Sequence, residues 1–159
     1  PIFSALKELD KDIKMVIVGK EGRFKENIEL AKSFGLEDRV VFMGMIPYSQ
    51  VPKYISAMDI CLIPFNKSAI SENAVPLKLF EYMACEKPII STRLRGVEKI
   101  VNEKIFYAST KEEYKDQIKK LYNDSALRKK AGIDGRIFVE KTYDWSKISH
   151  DLERVLTEI

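Results

Sequence analysis

The sequence is poor in the residues that build disulfide and metal sites. Its 159 residues include two cysteines and one histidine. Two cysteines cannot form a disulfide framework, and Cys61 lies in an apolar segment while Cys85 ends a predicted helix, so we expect both to be reduced thiols of a cytoplasmic protein. Because His150 stands alone and no Cys/His ligand spacing is present, we expect neither a zinc site nor any other metal site.

Long hydrophobic runs and an excess of charge of one sign are also missing. No apolar run reaches the roughly 18 residues that suggest a membrane-spanning helix, and no charged-then-apolar leader is visible. The 27 basic and 24 acidic residues leave a net charge of +3, which is too balanced to indicate a nucleic-acid partner but suits an anionic ligand.

What the sequence does contain is an alternation of apolar strands and amphipathic helices. A chain of this length with 45% hydrophobic residues can bury one core, which fits a single domain over 1–159. The alternation predicts an α/β fold with a doubly wound, mostly parallel sheet covered by helices on both faces. Strands are predicted at about 15–19, 39–43, 59–64, 88–91 and 104–107. Helices are predicted at about 3–9, 23–34, 49–57, 77–85, 97–101, 111–122, 126–141 and 145–158.

The two ends of the chain carry further expectations. A doubly wound domain normally opens on a strand, whereas this chain opens on the end of a helix, so we expect it to be N-terminally truncated. The other end is wholly helical, with a capping box at Thr110 and Glu113 and a cap at Asp144. We expect the final helices, about 124–159, to pack on the domain, with Tyr143 and Trp145 as packing residues.

The most informative segment has the sequence ENAVPLKLFEYMA at positions 72–84. Pro76 and Leu77 suit the start of a helix, and the free N–H groups of that first turn can bind an anion. Lys78 lies in the same turn, where a cation opposes the helix dipole unless a phosphate is bound there. Glu81 follows three residues later on the same face, and its carboxylate can accept hydrogen bonds from both hydroxyls of a ribose. The pattern predicts a nucleoside diphosphate site; a simple surface pair of Lys78 and Glu81 is the alternative.

This segment resembles the C-terminal, donor-binding domain of the retaining glycosyltransferases of the GT-B fold, family 4. That family has two glutamates separated by seven residues, then a helix ending in a Met-Ala-Cys-Gly-like turn and a Pro-led strand. The sequence EYMACEKPII at 81–90 matches the second half, with Glu86 in place of the glycine. In the first half Asn73 takes the place of the first glutamate, with Glu72 one residue away. The resemblance covers nearly the whole chain, because VIVG at 16–19, VVFMG at 40–44 and AMDI at 57–60 follow the family's order.

The resemblance implies a Rossmann-like half of a GT-B enzyme and a role for each part of the segment. Glu81 would hold the ribose, and the helix start at Pro76, Leu77 and Lys78 would meet the diphosphate. Glu72 or Asn73 would face the donor sugar as the catalytic corner.

Two glycine-containing loops would also face the donor. Under the resemblance Gly19 borders the cleft, and backbone groups of Met45 and Ile46 read the base. A plain strand-to-helix turn at Gly19-Lys20-Glu21-Gly22 and a plain loop at 44–47 remain the alternatives.

The implied activity is transfer of a sugar from a nucleotide-sugar donor, with retention of configuration and with no metal or further cofactor. The implied partners are a sugar, lipid or polysaccharide acceptor and a missing N-terminal domain, which would supply an Arg and a Lys to the diphosphate site. Without that domain we expect the chain to be inactive. The location would be cytoplasmic, with the missing domain as the part that could reach the inner membrane surface.

Two other functions stay open at this point: a nucleotide-sugar epimerase of the same fold, and a flavodoxin-like binding module. The second is disfavoured because the segment after strand 15–19 lacks both the acidic cluster of a receiver domain and the hydroxyl-rich loop of a flavin site. The base, the sugar, the acceptor and the oligomeric state are left undetermined.

Overall fold

The computed structural model describes residues 1–19 and 24–157, in which parallel strands alternate with helices. The strands are β1 Met15–Val18, β2 Val40–Gly44, β3 Cys61–Ile63, β4 Ile89–Ser91 and β5 Phe106–Tyr107. The helices are α1 Ile2–Lys7, α2 Phe24–Ser33, α3 Val51–Ser56, α4 Leu77–Ala84, α5 Arg95–Val101, α6 Lys111–Asn123, α7 Ser125–Thr142 and α8 Trp145–Thr157. Short 3₁₀ turns lie at Tyr48–Gln50, Ser71–Asn73 and Asn102–Lys104. The predicted α/β alternation is confirmed, and the predicted ends of the elements differ from these bounds by a few residues.

The strands form two groups rather than one continuous sheet. Among the described residues, β1 pairs with β2, and β3, β4 and β5 pair in that order; every pairing is parallel. The register sets Val16 beside Val41 in the first group and Leu62 beside Ile90 in the second. The parallel arrangement was predicted from the alternation, but the division into two groups was not.

Helices cover the β3–β4–β5 sheet on both faces. Ile89 and Ile90 are neighbours on β4, and their side chains point to opposite faces because side chains alternate along a strand. Ile90 packs in a core with Leu6 of α1 and Leu121 of α6. Ile89 packs in a second core with Leu79 of α4. A strand that is buried on both faces explains the near-continuous apolar run at this position.

Helix α7 packs closely on α4. A side chain at Gly132 would place its Cβ 2.0 Å from the carbonyl oxygen of Glu86, so the two backbones approach as only a glycine allows. Arg136 adds a hydrogen bond from its guanidinium to the carbonyl of Ala84. Helix α7 therefore fixes the C-terminal end of α4. The N-terminal end of α4 begins the candidate site.

The caps of the C-terminal helices match their prediction. The hydroxyl of Thr110 accepts from the N–H of Glu113 at 3.2 Å, and the Glu113 carboxylate accepts from the N–H of Thr110 at 3.1 Å. Asp144 accepts from the N–H of Ser146 at 2.9 Å and begins α8.

Helix α8 leaves an apolar stripe in solvent. Tyr143 packs against Phe80 with 4.7 Å between the ring centroids, as predicted, but Trp145 is 80% exposed and its predicted packing role is wrong. None of the described residues of α8 is buried. No helix in the described part of the chain has the length and apolar character to cross a membrane.

Candidate functional site

The candidate site lies where β1, β2 and β3 end and α4 begins. In a parallel sheet all carboxyl ends meet at one edge, which is where open α/β sheets bind ligands. A cavity of about 630 Å³ opens there. Its lining includes Val18 at the end of β1, Ile46 after β2, and Lys78 and Glu81 on α4.

Helix α4 begins as the sequence predicts. Pro76 is extended, with φ −75° and ψ 137°, and its carbonyl accepts from the N–H of Leu79 at 2.9 Å. The first helical residue is Leu77, which is exposed. The N–H groups of the first turn have no earlier helical carbonyls to bond, so this end of α4 can bind an anion.

Lys78 and Glu81 share a face of α4 but do not bond to each other. Lys78 Nζ lies 5.8 Å from the centroid of the Phe65 ring. Glu81 Oε1 instead accepts a hydrogen bond from the Tyr48 hydroxyl at 3.1 Å. In the described part of the chain Lys78 and Glu81 form no ion pair with each other. The alternative interpretation, a simple surface pair of these two residues, is therefore not observed.

Tyr48 was missed by the sequence analysis. It belongs to the 3₁₀ turn Tyr48–Gln50, which follows the loop after β2, and it is 77% exposed. Its hydrogen bond to the carboxylate of Glu81, together with the negative charge of that carboxylate, raises the pKa of the Tyr48 phenol. Tyr48 is therefore a neutral donor at pH 7. Residues 48 and 81 are 33 positions apart, and no local pattern joins them.

The loops at Gly19 and Gly44 lie side by side. The N–H of Gly19 donates to the carbonyl of Gly44 at 3.0 Å. Gly44 has φ +69°, so here the glycine is required by the backbone. This turn directs Met45 into solvent, where it is 69% exposed, and directs Ile46 into the cavity lining. The rest of the Gly-x-x-Gly segment, residues 20–22, lies outside the described residues.

Glu72 and Asn73 come shortly before the start of α4 in the chain. They form part of the 3₁₀ turn Ser71–Asn73, and the Glu72 carboxylate accepts from the backbone N–H of Arg95 at 3.3 Å. Glu72 Oε1 is also 3.8 Å from Lys67 Nζ. Neither Glu72 nor Asn73 lines the cavity that Lys78 and Glu81 share.

The start of α5 holds this turn in place. A Cβ on Gly96 would come within 2.7 Å of the carbonyl carbon and oxygen of Asn73 and of the carbonyl oxygen of Ala74. The glycine thus lets the backbone of α5 touch the backbone of the predicted catalytic corner.

Cys61 is a further residue in the lining of the cavity. Cys61 and Cys85 are free, and burial raises the pKa of the Cys61 thiol to about 12, so that thiol is protonated and inert. In residues 1–19 and 24–157, His, Cys, Asp and Glu side chains do not gather in a group of three or more that could hold a metal ion.

Comparison with known proteins gives a consistent family. Residues 2–138 match the family described as "Glycosyl transferases group 1". An uncharacterized glycosyltransferase of Methanocaldococcus jannaschii is 25% identical over 162 residues, which cover 99% of this chain and 44% of that protein.

Two solved structures share the fold. Sucrose-phosphate synthase from Thermosynechococcus elongatus superimposes with a TM-score of 0.85 at 22% identity, over 99% of this chain and 41% of that one. Anabaena HepE in complex with UDP-glucose superimposes with a TM-score of 0.84 at 20% identity, over 99% of this chain and 44% of that one.

The chain thus spans about two-fifths of the length of each of these three proteins. The comparisons support neither an epimerase nor a flavodoxin-like module. Because residues 2–138, most of the chain, match this family, the chain belongs to the group 1 glycosyl transferases.

Proposed function

We propose that this chain binds the nucleotide-sugar donor of a glycosyltransferase whose remaining part binds the acceptor. The observation that carries the proposal is the position of Lys78 and Glu81: both line one cavity, on one face of α4, at the carboxyl edge of the strands. A cation and a hydrogen-bond acceptor held one helical turn apart suit a phosphate and a sugar hydroxyl.

Each part of the donor has a matching group in this site. The diphosphate lies over Pro76, Leu77 and Lys78, where first-turn N–H groups and the ammonium oppose its charge. The two ribose hydroxyls donate to Glu81, which gives up or shares its hydrogen bond to Tyr48.

The base and the sugar extend to either side of α4. The base reaches the backbone of Met45 and Ile46, beside Gly19. The donor sugar points toward the corner formed by Glu72 and Asn73, where the reaction occurs.

The chemistry of this site is mainly electrostatic. The bond from the sugar's anomeric carbon to the diphosphate breaks, so positive charge develops on the sugar and negative charge collects on the leaving diphosphate. The anomeric carbon then bonds to a hydroxyl oxygen of the acceptor, and the leaving diphosphate takes up the proton of that hydroxyl. Fixed N–H dipoles and Lys78 stabilise that negative charge as it forms. The step then needs no metal, and by resemblance to the family the sugar keeps its anomeric configuration.

We propose UDP as the nucleotide to test first. One solved structure of the same fold is a complex with UDP and glucose, and another is a complex with UDP-glucose. The proposed contacts to the base are made by backbone groups of Met45 and Ile46.

The acceptor belongs to the part of the protein that this chain does not include. The relatives are more than twice as long as the region they share with this chain. We propose that an N-terminal domain supplies the acceptor site for a sugar, lipid or polysaccharide, closes the donor cleft, and determines any contact with the inner membrane surface of the cytoplasm.

Calorimetric titration of the full-length protein with UDP, ADP, GDP and CDP tests the donor proposal. We expect at least one of these nucleotides to bind, with UDP the tightest, and the same nucleotide to bind more weakly to the Glu81→Ala variant. Absence of binding by all four, or equal binding by Glu81→Ala and the parent, would contradict the proposal.

A further inference from the structure

Three basic side chains follow the carboxyl ends of β3 and β4, next to the corner formed by Glu72 and Asn73. Lys67 belongs to the loop after β3, and Arg93 and Arg95 follow β4. Lys67 Nζ lies 3.8 Å from Glu72 Oε1, and the backbone N–H of Arg95 donates to Glu72 Oε2 at 3.3 Å. The site proposed for the diphosphate uses none of these three cations.

Arg93 is already engaged in contacts within the fold. Its guanidinium pairs with the carboxylate of Glu98. The same guanidinium lies 4.4 Å from the centroid of the Tyr107 ring, and the Tyr107 hydroxyl donates to the carbonyl of Asn102 at 2.7 Å. Arg93 therefore joins α5 to β5, and the basic groups that stay open to a ligand are the other two.

Lys67 and Arg95 share one carboxylate, that of Glu72. The 3.8 Å between Lys67 and Glu72 exceeds a hydrogen-bond distance, and the Lys67 side chain is 50% exposed. Arg95 is exposed, and the ion pairs of residues 1–19 and 24–157 do not include it. Glu113, whose carboxylate the charge of Lys67 also reaches, is already bonded to the N–H of Thr110 at 3.1 Å. Positive charge at this corner is therefore available to an anionic ligand.

The backbone of this corner is held by its own hydrogen bonds. The Ser71 hydroxyl accepts from the N–H of Ser68 at 2.8 Å and donates to the carbonyl of Asn66 at 2.7 Å. The N–H of Glu72 donates to the carbonyl of Ser68 at 2.9 Å. Gly96 brings the start of α5 into backbone contact with the same turn. The two segments that carry the open cations are thus fixed relative to each other, and a ligand that binds both cations orders only their side chains.

The loop after β3 connects this corner to the diphosphate site. Lys78 Nζ lies 5.8 Å from the centroid of the Phe65 ring, and Lys67 comes two residues after Phe65. The diphosphate already has Lys78 and the first-turn N–H groups of α4, so a second pair of cations suits a different anionic group. Sugar hydroxyls are neutral, whereas a carboxylate forms short, charge-assisted hydrogen bonds with an ammonium and a guanidinium.

We propose that Lys67 and Arg95 bind the carboxylate of a sugar acid at the corner formed by Glu72 and Asn73. The sugar acid is either the sugar of the donor or the end of the acceptor, and the two have the same recognising chemistry. This assignment rests on the proposed function, which makes the corner the place where the donor sugar meets the acceptor.

Two pairs of ligands that differ by one carboxylate test the proposal on the full-length protein at low ionic strength. Calorimetry compares UDP-glucuronic acid with UDP-glucose. NMR titration, followed at the amide of Arg95, compares methyl glucuronide with methyl glucoside in the absence of nucleotide. We expect the acid to bind at least about fivefold more tightly than its neutral partner, and added salt to reduce that ratio. A preference in the first pair alone identifies the donor sugar as the acid, and in the second pair alone the acceptor.

Variants connect the preference to the two cations. Lys67→Gln and Arg95→Gln should each reduce the acid-to-neutral ratio by about half or more, with the affinity for UDP unchanged. Lys99→Gln removes the same charge from an exposed position of α5 and should keep the ratio.

The proposal is overturned if neither pair shows a preference for the acid, or if both variants keep it. UDP binding without such a preference would leave the proposed function intact and contradict this inference alone. Failure of UDP and of both UDP-sugars to bind would count against the proposed function, and the nucleotide-free pair would then decide this inference.

Discussion

The hydroxyl of Tyr48 donates a hydrogen bond of 3.1 Å to the carboxylate of Glu81, and this contact joins the loop after β2 to helix α4. Glu81 lines the cavity, and its carboxylate bonds Tyr48 rather than Lys78 on the same face of α4. The acceptor proposed for the ribose is thus already oriented by a donor hydroxyl, which a ribose hydroxyl can replace.

Replacement of Glu81 by alanine should strongly reduce activity of the full-length enzyme. Loss of a charged hydrogen-bonding partner should cost about 2–4 kcal/mol of transition-state stabilisation, measured from kcat/KM. Glu29→Ala, the same change at an exposed position of α2, is the control and should leave kcat/KM unchanged. Activity of Glu81→Ala within twofold of the parent would refute the ribose role.

Replacement of Lys78 by alanine should discriminate between phosphate and nucleoside binding. The ammonium is expected to meet phosphate oxygens, so UDP should bind more weakly to the variant while uridine binds nearly as well. Calorimetry with the two ligands measures the difference, and Lys129→Ala on α7 is the matched control. Equal losses for UDP and uridine would indicate a packing effect instead.

The titration of Tyr48 should depend on Glu81. The carboxylate raises the pKa of this phenol above its usual value near 10, so the neutral, hydrogen-bonded form is favoured in the folded protein. Between neutral pH and about pH 10 the contact therefore stabilises the fold fully, and it is lost as the pH rises through the raised pKa. Absorbance titration should show a lower Tyr48 pKa in Glu81→Gln, with Tyr48→Phe used to assign the signal. An unchanged titration would show that the hydrogen bond is not formed.

The two glycines of α7 should respond differently to alanine. Alanine favours a helix by about 1 kcal/mol over glycine. At Gly132 the added Cβ would lie 2.0 Å from a backbone oxygen, so Gly132→Ala should destabilise the protein despite that gain. At Gly135 the nearest atom is Met83 Cγ at 3.3 Å, a side-chain atom that can move. Gly135→Ala should be near neutral. Denaturant unfolding measures the free energy of unfolding of both variants. A Gly132→Ala protein more stable than Gly135→Ala would contradict the contact between α4 and α7.

The 159-residue chain should not transfer sugar by itself. Holding two oriented substrates together is worth roughly 7–11 kcal/mol of barrier, and under the proposed division of the protein this chain forgoes most of it. Transfer from a radiolabelled nucleotide-sugar, with the full-length protein as positive control, measures this. Turnover by the 159-residue chain near the full-length rate would place the whole active site on this chain.

Local patterns predicted the parts of the fold that depend on neighbours in sequence. Pro76 before an amphipathic run located the start of α4, and Thr110 with Glu113 located the start of α6. In both cases the stabilising contacts lie within one helical turn, so the sequence contains them all.

Features that depend on distant residues were not predicted. The division of the strands into two groups depends on which strands pair with each other, and strand pairing joins residues far apart in the sequence. The Tyr48–Glu81 contact likewise joins two segments that no spacing rule connects. Trp145 was expected to pack because large aromatic residues usually do, yet its side chain is 80% exposed. The sequence pattern shows that a face is apolar without showing what covers it.

The central claim is that the donor's ribose and diphosphate bind at the start of α4. A crystal structure of the full-length protein with UDP tests it most directly. The account predicts both ribose hydroxyls within hydrogen-bonding distance of the Glu81 carboxylate and the diphosphate beside Lys78 and the first-turn N–H groups of α4. UDP bound at any other place, with Glu81 still bonded to Tyr48 and away from the ribose, would contradict it.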